Sequence, residues 1–363
     1  MNKLGFGFLR LPKIGDEINY EELNRMVDLF LDSGRCYFDT AYTYLNGKSE
    51  EAIRRALVER HPRERFQLAS KAPGYNAKSY EDCRQYFEES CRRCGVDYFD
   101  VYMLHWLNRK NYGIAEKYDQ FRFLQELKES GKAKRIGFSF HDTADLLDEI
   151  LTTHPEVDCV LLQINYLDWE NEGIQSRKCY ETALRHGKSI LAMEPIKGGT
   201  LANVTDEAKS ILKRIDSALS PAAHALRFVQ SLPGVETVLS GMGSLSQVQE
   251  NILPIIPAKE ADYVLLQQVA AVLKSSTAVA CTGCGYCEKH CPKQIAIPNY
   301  FKLYNEYVRN PSDDWKITPA YETITLTRGK ASDCISCGLC EQNCPQKLPI
   351  REYIQSVKNV MEG

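Results

Sequence analysis

Short, nearly apolar runs alternate with runs of helical period over the first two-thirds of the chain, and this alternation restricts the fold more than any other feature. Eight of the apolar runs read as strands: 4–8, 36–38, 66–70, 99–104, 135–138, 159–164, 189–193 and 237–239. Helices are predicted over 21–33, 48–60, 80–94, 118–130, 143–152, 173–185, 205–215 and 221–231. In the first of these Leu23, Met26, Val27 and Phe30 are spaced three and four apart, the period of one helix face. Strands apolar on both faces and joined through helices are parallel and covered on both sides. No G-x-G-x-x-G follows the first strand, which argues against an open doubly wound sheet. An α/β fold with eight strands closed into a (β/α)8 barrel, the TIM-barrel architecture, is therefore predicted.

In such a barrel the chemistry sits where the strands end. The stretch FDTAYTY brings the Asp39 carboxylate to the end of the second strand and a phenol, Tyr44, into the loop beyond it. The next two strands end in Lys71 and His105, and later ones in Ser139, Gln163, Glu194 and Ser240. Asp39 to Lys71 is 32 residues and Lys71 to His105 is 34. Both are close to the roughly 31 expected when about 250 residues are divided among eight strand-helix units. An isolated strand-end lysine or histidine is usually an ordinary loop residue, but four such groups in consecutive units predict a common mouth.

Together these groups suit one task. A tyrosine hydroxyl with an ordinary pKa of about 10 is a poor proton donor at neutral pH. A lysine ammonium beside it stabilises the phenolate, and a carboxylate holds the lysine in place. A histidine donating to the same oxygen orients it. The set suits protonation of a carbonyl oxygen while hydride reaches its carbon.

The barrel resembles an aldo-keto reductase: FDTAYTY followed by SEEAIRRAL matches that family's pattern, with the lysine and histidine at the matching strand ends. The resemblance, over roughly Leu4 to Asn251, implies Tyr44 as general acid-base, Lys71 and Asp39 as its tuning pair, and His105 as substrate orienter. It also implies a nicotinamide cofactor across the mouth. Ser139 and Gln163 match the residues that hold the carboxamide, Met193 the ring-stacking position, and Pro195, Gly198 and Gly199 of EPIKGG the loop near the pyrophosphate. Glu250 and Asn251 match adenine-binding positions. Where the family often grips a 2′-phosphate with cations this chain has Gly241 and Gln247, which removes charge-assisted bonds and leans to NAD(H) over NADP(H), although Ser244 remains as a phosphate contact. Trp106 and Tyr112, in the loop after His105, are candidate substrate walls. The floor hairpin and C-terminal pocket loop usual in the family are absent or replaced, so other residues must cover the floor.

Cysteine usage marks a second unit. Of 14 cysteines, six are scattered up to Cys179 and eight lie between Cys281 and Cys344. CTGCGYCEKHCP and CISCGLCEQNCP are two copies of C-x2-C-x2-C-x3-C-P, which resembles the ligand run of bacterial two-cluster ferredoxins. The implied [4Fe-4S] sets are Cys281, Cys284, Cys287 with Cys344, and Cys334, Cys337, Cys340 with Cys291. Zinc sites use pairs of CxxC rather than triplets, so zinc is the weaker reading. The 41 residues between the motifs include a run, 297–308, of helical period, as in the mainly helical kind of ferredoxin-like domain. A barrel over 1–275 and a ferredoxin-like domain over 276–363 are predicted.

Charge excludes some partners: 45 Lys and Arg nearly balance 48 Asp and Glu, so no nucleic-acid or anionic-membrane surface is expected. No run of 18 apolar residues occurs and no signal peptide is read, so a reducing cytoplasm is the expected compartment. Cys36, Cys83, Cys91, Cys94, Cys159 and Cys179 read as small apolar fillers, and His141 as a residue capping the helix region after it. The expected activity is nicotinamide-dependent reduction of a carbonyl, or the reverse, on a small molecule. Hydride moves two electrons and each cluster one, so the clusters are either structural or serve a redox partner protein. The alternative is an electron-transfer protein whose barrel binds a flavin or senses nicotinamide without turnover.

Overall fold

The computed structural model describes residues 3–254, 256–309 and 314–363. Two compact units are present, one of Met1–Asn171, Gln175–Pro195 and Ala222–Lys259, the other of Glu172–Ile174, Ile196–Pro221 and Glu260–Gly363. In packing, the second unit reaches back beyond the boundary expected at 275/276. Helix Glu260–Ser276 packs on helix Asp206–Ile215, burying Leu266, Val269, Ala270 and Leu273 on one and Ala208 and Leu212 on the other, so both belong to the second unit.

The first unit is a closed barrel of eight parallel strands: β1 Leu4–Gly7, β2 Tyr37–Asp39, β3 Gln67–Ala72, β4 Phe99–Leu107, β5 Ala133–Phe140, β6 Cys159–Gln163, β7 Ser189–Met193 and β8 Val235–Gly241. Each strand pairs with its neighbours in sequence, and β1 closes on β8 with Leu4 opposite Val238 and Gly7 opposite Gly241. The alternation of side chains along β2 explains its dual use. Tyr37 points inward to a buried cluster with Ala69, Val101, Met103, Cys159, Leu161, Leu191 and Leu239. Phe38 points outward and meets Phe6, Phe8, Phe30 and Phe66, with ring centroids 5.3–6.4 Å apart. That outer cluster fixes helix Tyr20–Asp32, each buried ring contributing about 1.5–3 kcal/mol. Asp39 then arrives at the mouth.

Among the described residues no hairpin plugs the barrel floor. The short hairpin of Lys13–Ile14 with Glu17–Ile18 comes after β1, at the other end, and is largely exposed. Tyr37 fills the base of the interior, and an Arg135–Glu236 ion pair of 2.7 Å joins the first turns of β5 and β8 beside it. Several helices escaped the sequence reading, among them Arg109–Lys117, capped by Asn108, whose Oδ1 accepts from the Asn111 N–H at 2.8 Å.

The second unit is mainly helical. Ile297–Arg309, Asp314–Thr325 and Ile350–Met361 enclose a core of Tyr300, Phe301, Ile317, Tyr321, Ile350, Ile354 and Val357. Asn305, on the first of these helices, bonds both backbone polar groups of Val279 (2.8 and 2.7 Å) and so anchors the entry to the first cysteine run. No described helix is long and apolar enough to cross a membrane.

Candidate active site and cysteine cavities

Asp39 ends β2 and Lys71 lies near the end of β3, one strand over, so their side chains meet inside the mouth. Lys71 is fully buried and its Nζ donates to Asp39 Oδ1 (2.5 Å) and to the Thr40 carbonyl (2.7 Å). Burial pushes the ammonium below the ordinary lysine value while the Asp39 carboxylate counters that fall; burial likewise raises Asp39, and Lys71 opposes it. At this distance each charge opposes the effect of burial on the other.

Tyr44 is half-buried above this pair. Lys71 Nζ lies 4.9 Å from its ring centroid, and the His105 ring meets it edge-on at 5.5 Å. The loop that carries Tyr44 is unusual: Leu45 (φ 50°), Asn46 (φ 57°) and Gly47 (φ 90°) are consecutive left-handed residues. Such backbone costs roughly 1–3 kcal/mol per non-glycine residue and persists only where surroundings impose it. Arg93 is part of those surroundings. Its Nη1 donates to the Tyr42 carbonyl (3.2 Å) and to Glu50 Oε2 (3.4 Å), and it packs over the space a side chain at Gly47 would need. Glu50 is itself completely buried, bonded by Ser70 (2.8 Å), and burial raises its carboxyl above the usual range.

An aromatic wall stands beside His105. Trp106 is buried, and Tyr75 lies 6.4 Å from the His105 ring and 6.3 Å from Trp106, with His141 edge-on to Trp106 at 5.6 Å. His141 thus lines this wall rather than capping a helix, a task taken by Thr143. Tyr112 does not join the wall. Its ring packs against Phe121 and His154 at 6.3 and 6.2 Å, because Arg109–Lys117 is a helix that turns it toward the outer helix layer.

The cofactor candidates fall into three groups. Ser139, on β5, has a buried hydroxyl with no hydrogen bond among the described residues, so a polar group entering the mouth has a partner there. The Gln163 amide is oriented by Asp168, whose Oδ2 accepts from Nε2 at 2.8 Å, and Met193 lies opposite Gln163 and packs on the barrel core. Near the end of β8, Arg10 fills the space beside Gly241, Gln247 Oε1 accepts from the Gly243 N–H (2.7 Å), and Ser244 caps helix Leu245–Asn251. The Leu245 N–H is already taken by Glu22 Oε1 (3.0 Å), and Asn251 is tied to Ser240 (3.0 Å). Glu250 is on the same helix, half-buried. Pro195 is buried after β7, Gly199 has open space around its Cα, and Gly198, in the second unit, faces the Thr282 carbonyl.

In the second unit the cysteines surround two cavities. Cys281, Cys284, Cys287 and Cys344 line one, and Cys291, Cys334, Cys337 and Cys340 line the other. Among the described residues no three ligating side chains converge closely enough for a lone metal ion. Four thiols spread around a cavity instead suit a cube with a ligand at each corner. The Gly283 N–H points at Cys281 Sγ (3.4 Å), the backbone bond that stabilises a cluster thiolate. Burial, together with Cys284, Cys281 and Cys344, pushes the Cys287 thiol up, and burial raises Cys340 to about 11. Metal binding is what renders such crowded thiolates stable.

A model of the aldo/keto reductase family matches residues 3–269. The chain belongs to the aldo/keto reductase family. A second model, that of a 4Fe-4S dicluster domain, matches residues 280–348. Among curated relatives of this reductase, an NADH-specific methylglyoxal reductase of Escherichia coli (strain K12) is 28% identical over 295 residues, covering 68% of this chain and 88% of that one. An aldo-keto reductase of Mycobacterium avium is 30% identical over 155 residues, 42% of this chain and 51% of its own. Among solved structures, an aldo-keto reductase from Bacillus halodurans in its holo form aligns with a TM-score of 0.60 and 23% identity, over 74% of this chain and 91% of that one. One from Klebsiella pneumoniae in complex with NADPH gives 0.59 and 20%, over 74% and 90%.

The sequence reading of this aldo/keto reductase missed Tyr75, Glu50, Arg93 and Asp168. Glu50 had a signal, an acidic residue at a helix position that must face the barrel. Arg93 and Tyr75 had none, since their roles arise from contacts across distant segments.

Proposed function

We propose that this aldo/keto reductase reduces a small aldehyde or ketone, with NADH as its reductant, and that its second unit carries two [4Fe-4S] clusters. The observation that carries the catalytic part is the convergence of Tyr44, Lys71, Asp39 and His105 at one mouth. A nicotinamide cofactor supplies the hydride when bound, and the orphaned Ser139 hydroxyl, with Gln163 and Met193 beside the same mouth, fits its carboxamide end. The substrate oxygen lies between the Tyr44 hydroxyl and His105. Tyr44 gives its proton to that oxygen as negative charge develops there. Lys71 stabilises the phenolate left behind, and Asp39 fixes the ammonium. His105 orients the carbonyl, and Trp106 and Tyr75 exclude water from it.

A small 2-oxoaldehyde is the proposed substrate class, in line with the E. coli relative and the confined aromatic wall. NADH is favoured because Glu22 sets a carboxylate at the Leu245 N–H, against the cation that Arg10 brings beside Gly241. Cys281, Cys284, Cys287 and Cys344 would hold one cluster and Cys334, Cys337, Cys340 and Cys291 the other. Ligation of iron by thiols fits a reducing cytoplasm. Exchange of single electrons at the clusters would involve a redox partner protein, while the barrel chemistry itself needs none.

The deciding experiment is anaerobic purification, iron analysis and steady-state reduction of methylglyoxal with NADH and NADPH, for the parent and Tyr44→Phe. Loss of about 10²–10⁴-fold in kcat with unchanged NADH binding is expected for Tyr44→Phe. A variant as fast as the parent would refute the catalytic reading.

A further inference from the structure

The aromatic wall beside His105 stands on backbone that its own strand does not hold. Along β4 and β5 the pairing runs regularly to Leu104 opposite Phe138 and resumes with Leu107 opposite Phe140, so His105 and Trp106 stand opposite the single residue Ser139. Such a bulge re-aims side chains and takes backbone groups out of the ladder. A buried carbonyl released in this way needs another donor. Asn111, itself buried, supplies one: its Nδ2 donates to the Trp106 carbonyl oxygen at 2.9 Å.

The second ring of the wall is held in the same way. Tyr75 lies in the turn Gly74–Asn76, which the Ala77 N–H closes on the Gly74 carbonyl at 3.1 Å. Gln120, 1% exposed, donates from Nε2 to that same carbonyl at 2.9 Å. The approach is close enough that a Cβ at Gly74 would lie 2.2 Å from Gln120 Oε1. Asn111 and Gln120 come from successive helices, Arg109–Lys117 and Gln120–Glu129, joined through Asp119 in left-handed backbone (φ 51°). The first of these helices is fastened at both ends. Arg109 pairs with Glu149 at 2.7 Å and its N–H donates to Asp142 Oδ2 at 3.0 Å, while Glu116 bonds His154 at 2.8 Å. Two buried amides on a braced frame thus reach the carbonyl of Trp106 and the one preceding Tyr75. Neither amide takes part in the proton transfer described above.

We propose that Asn111 and Gln120 are positioning residues of the pocket, which fix the rings of Tyr75 and Trp106 at the separation observed, 6.3 Å between centroids, and so restrict the substrate to 2-oxoaldehydes with a small second substituent. A buried amide holds its carbonyl in one place, whereas an alkyl group of the same shape leaves that carbonyl unpaired and its ring free to shift outward. A wall in a fixed place discriminates by about 10–200-fold per methylene. This rests on the carbonyl reduction proposed above.

The test uses the full-length, anaerobically purified protein with NADH and two probes, methylglyoxal and phenylglyoxal, for the parent, Asn111→Leu and Gln120→Met. Each variant should raise KM for methylglyoxal about tenfold, keep kcat within about threefold, and shift the kcat/KM ratio of phenylglyoxal to methylglyoxal upward about tenfold. A part played only in stability would lower the melting temperature and leave that ratio in place. An unchanged ratio in either folded variant would therefore overturn the proposal. If Gln120→Met does not fold, Gly74→Ala serves, since the added methyl displaces the amide from its carbonyl. The same shift is then expected, and an unmoved ratio overturns the proposal. Hydrogen exchange read by mass spectrometry gives a second measurement, independent of turnover. Exchange over 73–77 should quicken about tenfold in Gln120→Met, and over 104–108 in Asn111→Leu, while strand β7 stays as in the parent. Unaltered exchange over both segments would overturn the proposal. A parent that reduces neither aldehyde would sink the reaction proposed above and the size limit with it, a result distinct from an unshifted ratio in an active enzyme.

Discussion

Replacement of Lys71 by methionine tests whether the ammonium does electrostatic work on the phenol or only fills space. Methionine conserves most of the volume and removes the charge. With 4.9 Å from Nζ to the Tyr44 ring centroid, an effective dielectric of about 20 gives about 3 kcal/mol between the ammonium and a full phenolate charge. Asp39, 2.5 Å from Nζ, offsets part of this, so about 2–3 kcal/mol remains, or roughly 30–150-fold in rate. The loss should appear in kcat, since the charge on Tyr44 develops only as the proton leaves. Removing the lysine also strands the buried Asp39 carboxylate, a destabilisation of about 3–5 kcal/mol. Lys71→Met/Asp39→Asn relieves that burden without restoring the ammonium. The assay is NADH consumption with methylglyoxal, with NADH binding followed by fluorescence as the control for folding. A folded double variant within about threefold of the parent kcat would refute the electrostatic role.

Arg93→Met should lower both melting temperature and kcat, because it removes the bond to the Tyr42 carbonyl and leaves Glu50 buried without its cation, at about 1–3 kcal/mol. Adding Glu50→Gln should recover stability but less of the rate, as read by thermal unfolding and turnover. Tyr75→Ala should raise KM for 2-oxoaldehydes more than it lowers kcat, since the ring borders the pocket without touching the proton path; equal losses in both would place it elsewhere. For Asp100, burial acts to raise the carboxyl, but bonds from Lys134, the Leu68 N–H and Arg63 outweigh it and hold the group below the usual range. A depressed carboxyl contributes stability that is full above its unfolded value, about 3.9, and lost as pH falls through the folded one. Asp100→Asn should therefore destabilise the barrel at neutral pH by about 1–3 kcal/mol and flatten its decline in acid, measured by denaturation from neutral to low pH.

Much of the barrel was legible because strand and helix periods are local. All eight strands fell within a few residues of their predicted places, with β4 and β5 running longer at the mouth. Asp39, Lys71 and His105 were legible for the same reason, each following an apolar run. The cysteine sets were legible as well, since each run of three sits on a short turn and the fourth, before proline, leaves for the other cavity. Tyr112 was misplaced because RKNYGIAEK carries a glycine and a weak apolar period, so its helix went unseen and its ring was left in a loop. Arg93 and Tyr75 depend on segments far apart in sequence, which no local period encodes. The packing of helix Asp206–Ile215 was not legible either: it has the pattern of any outer barrel helix, and only its packing against Glu260–Ser276 shows which unit it folds with.

That interleaving limits how such a chain could have been assembled or could be taken apart. The iron-binding portion is not a cassette that ends cleanly at a hinge, for it claims 26 residues, Ile196–Pro221, from the middle of the reductase. Severing the polypeptide near Glu260 would leave Ala208 and Leu212 facing water and orphan a glycine shaped to the carbonyl of Thr282. A gene fusion of this kind, once its parts had adjusted to each other, would be hard to reverse.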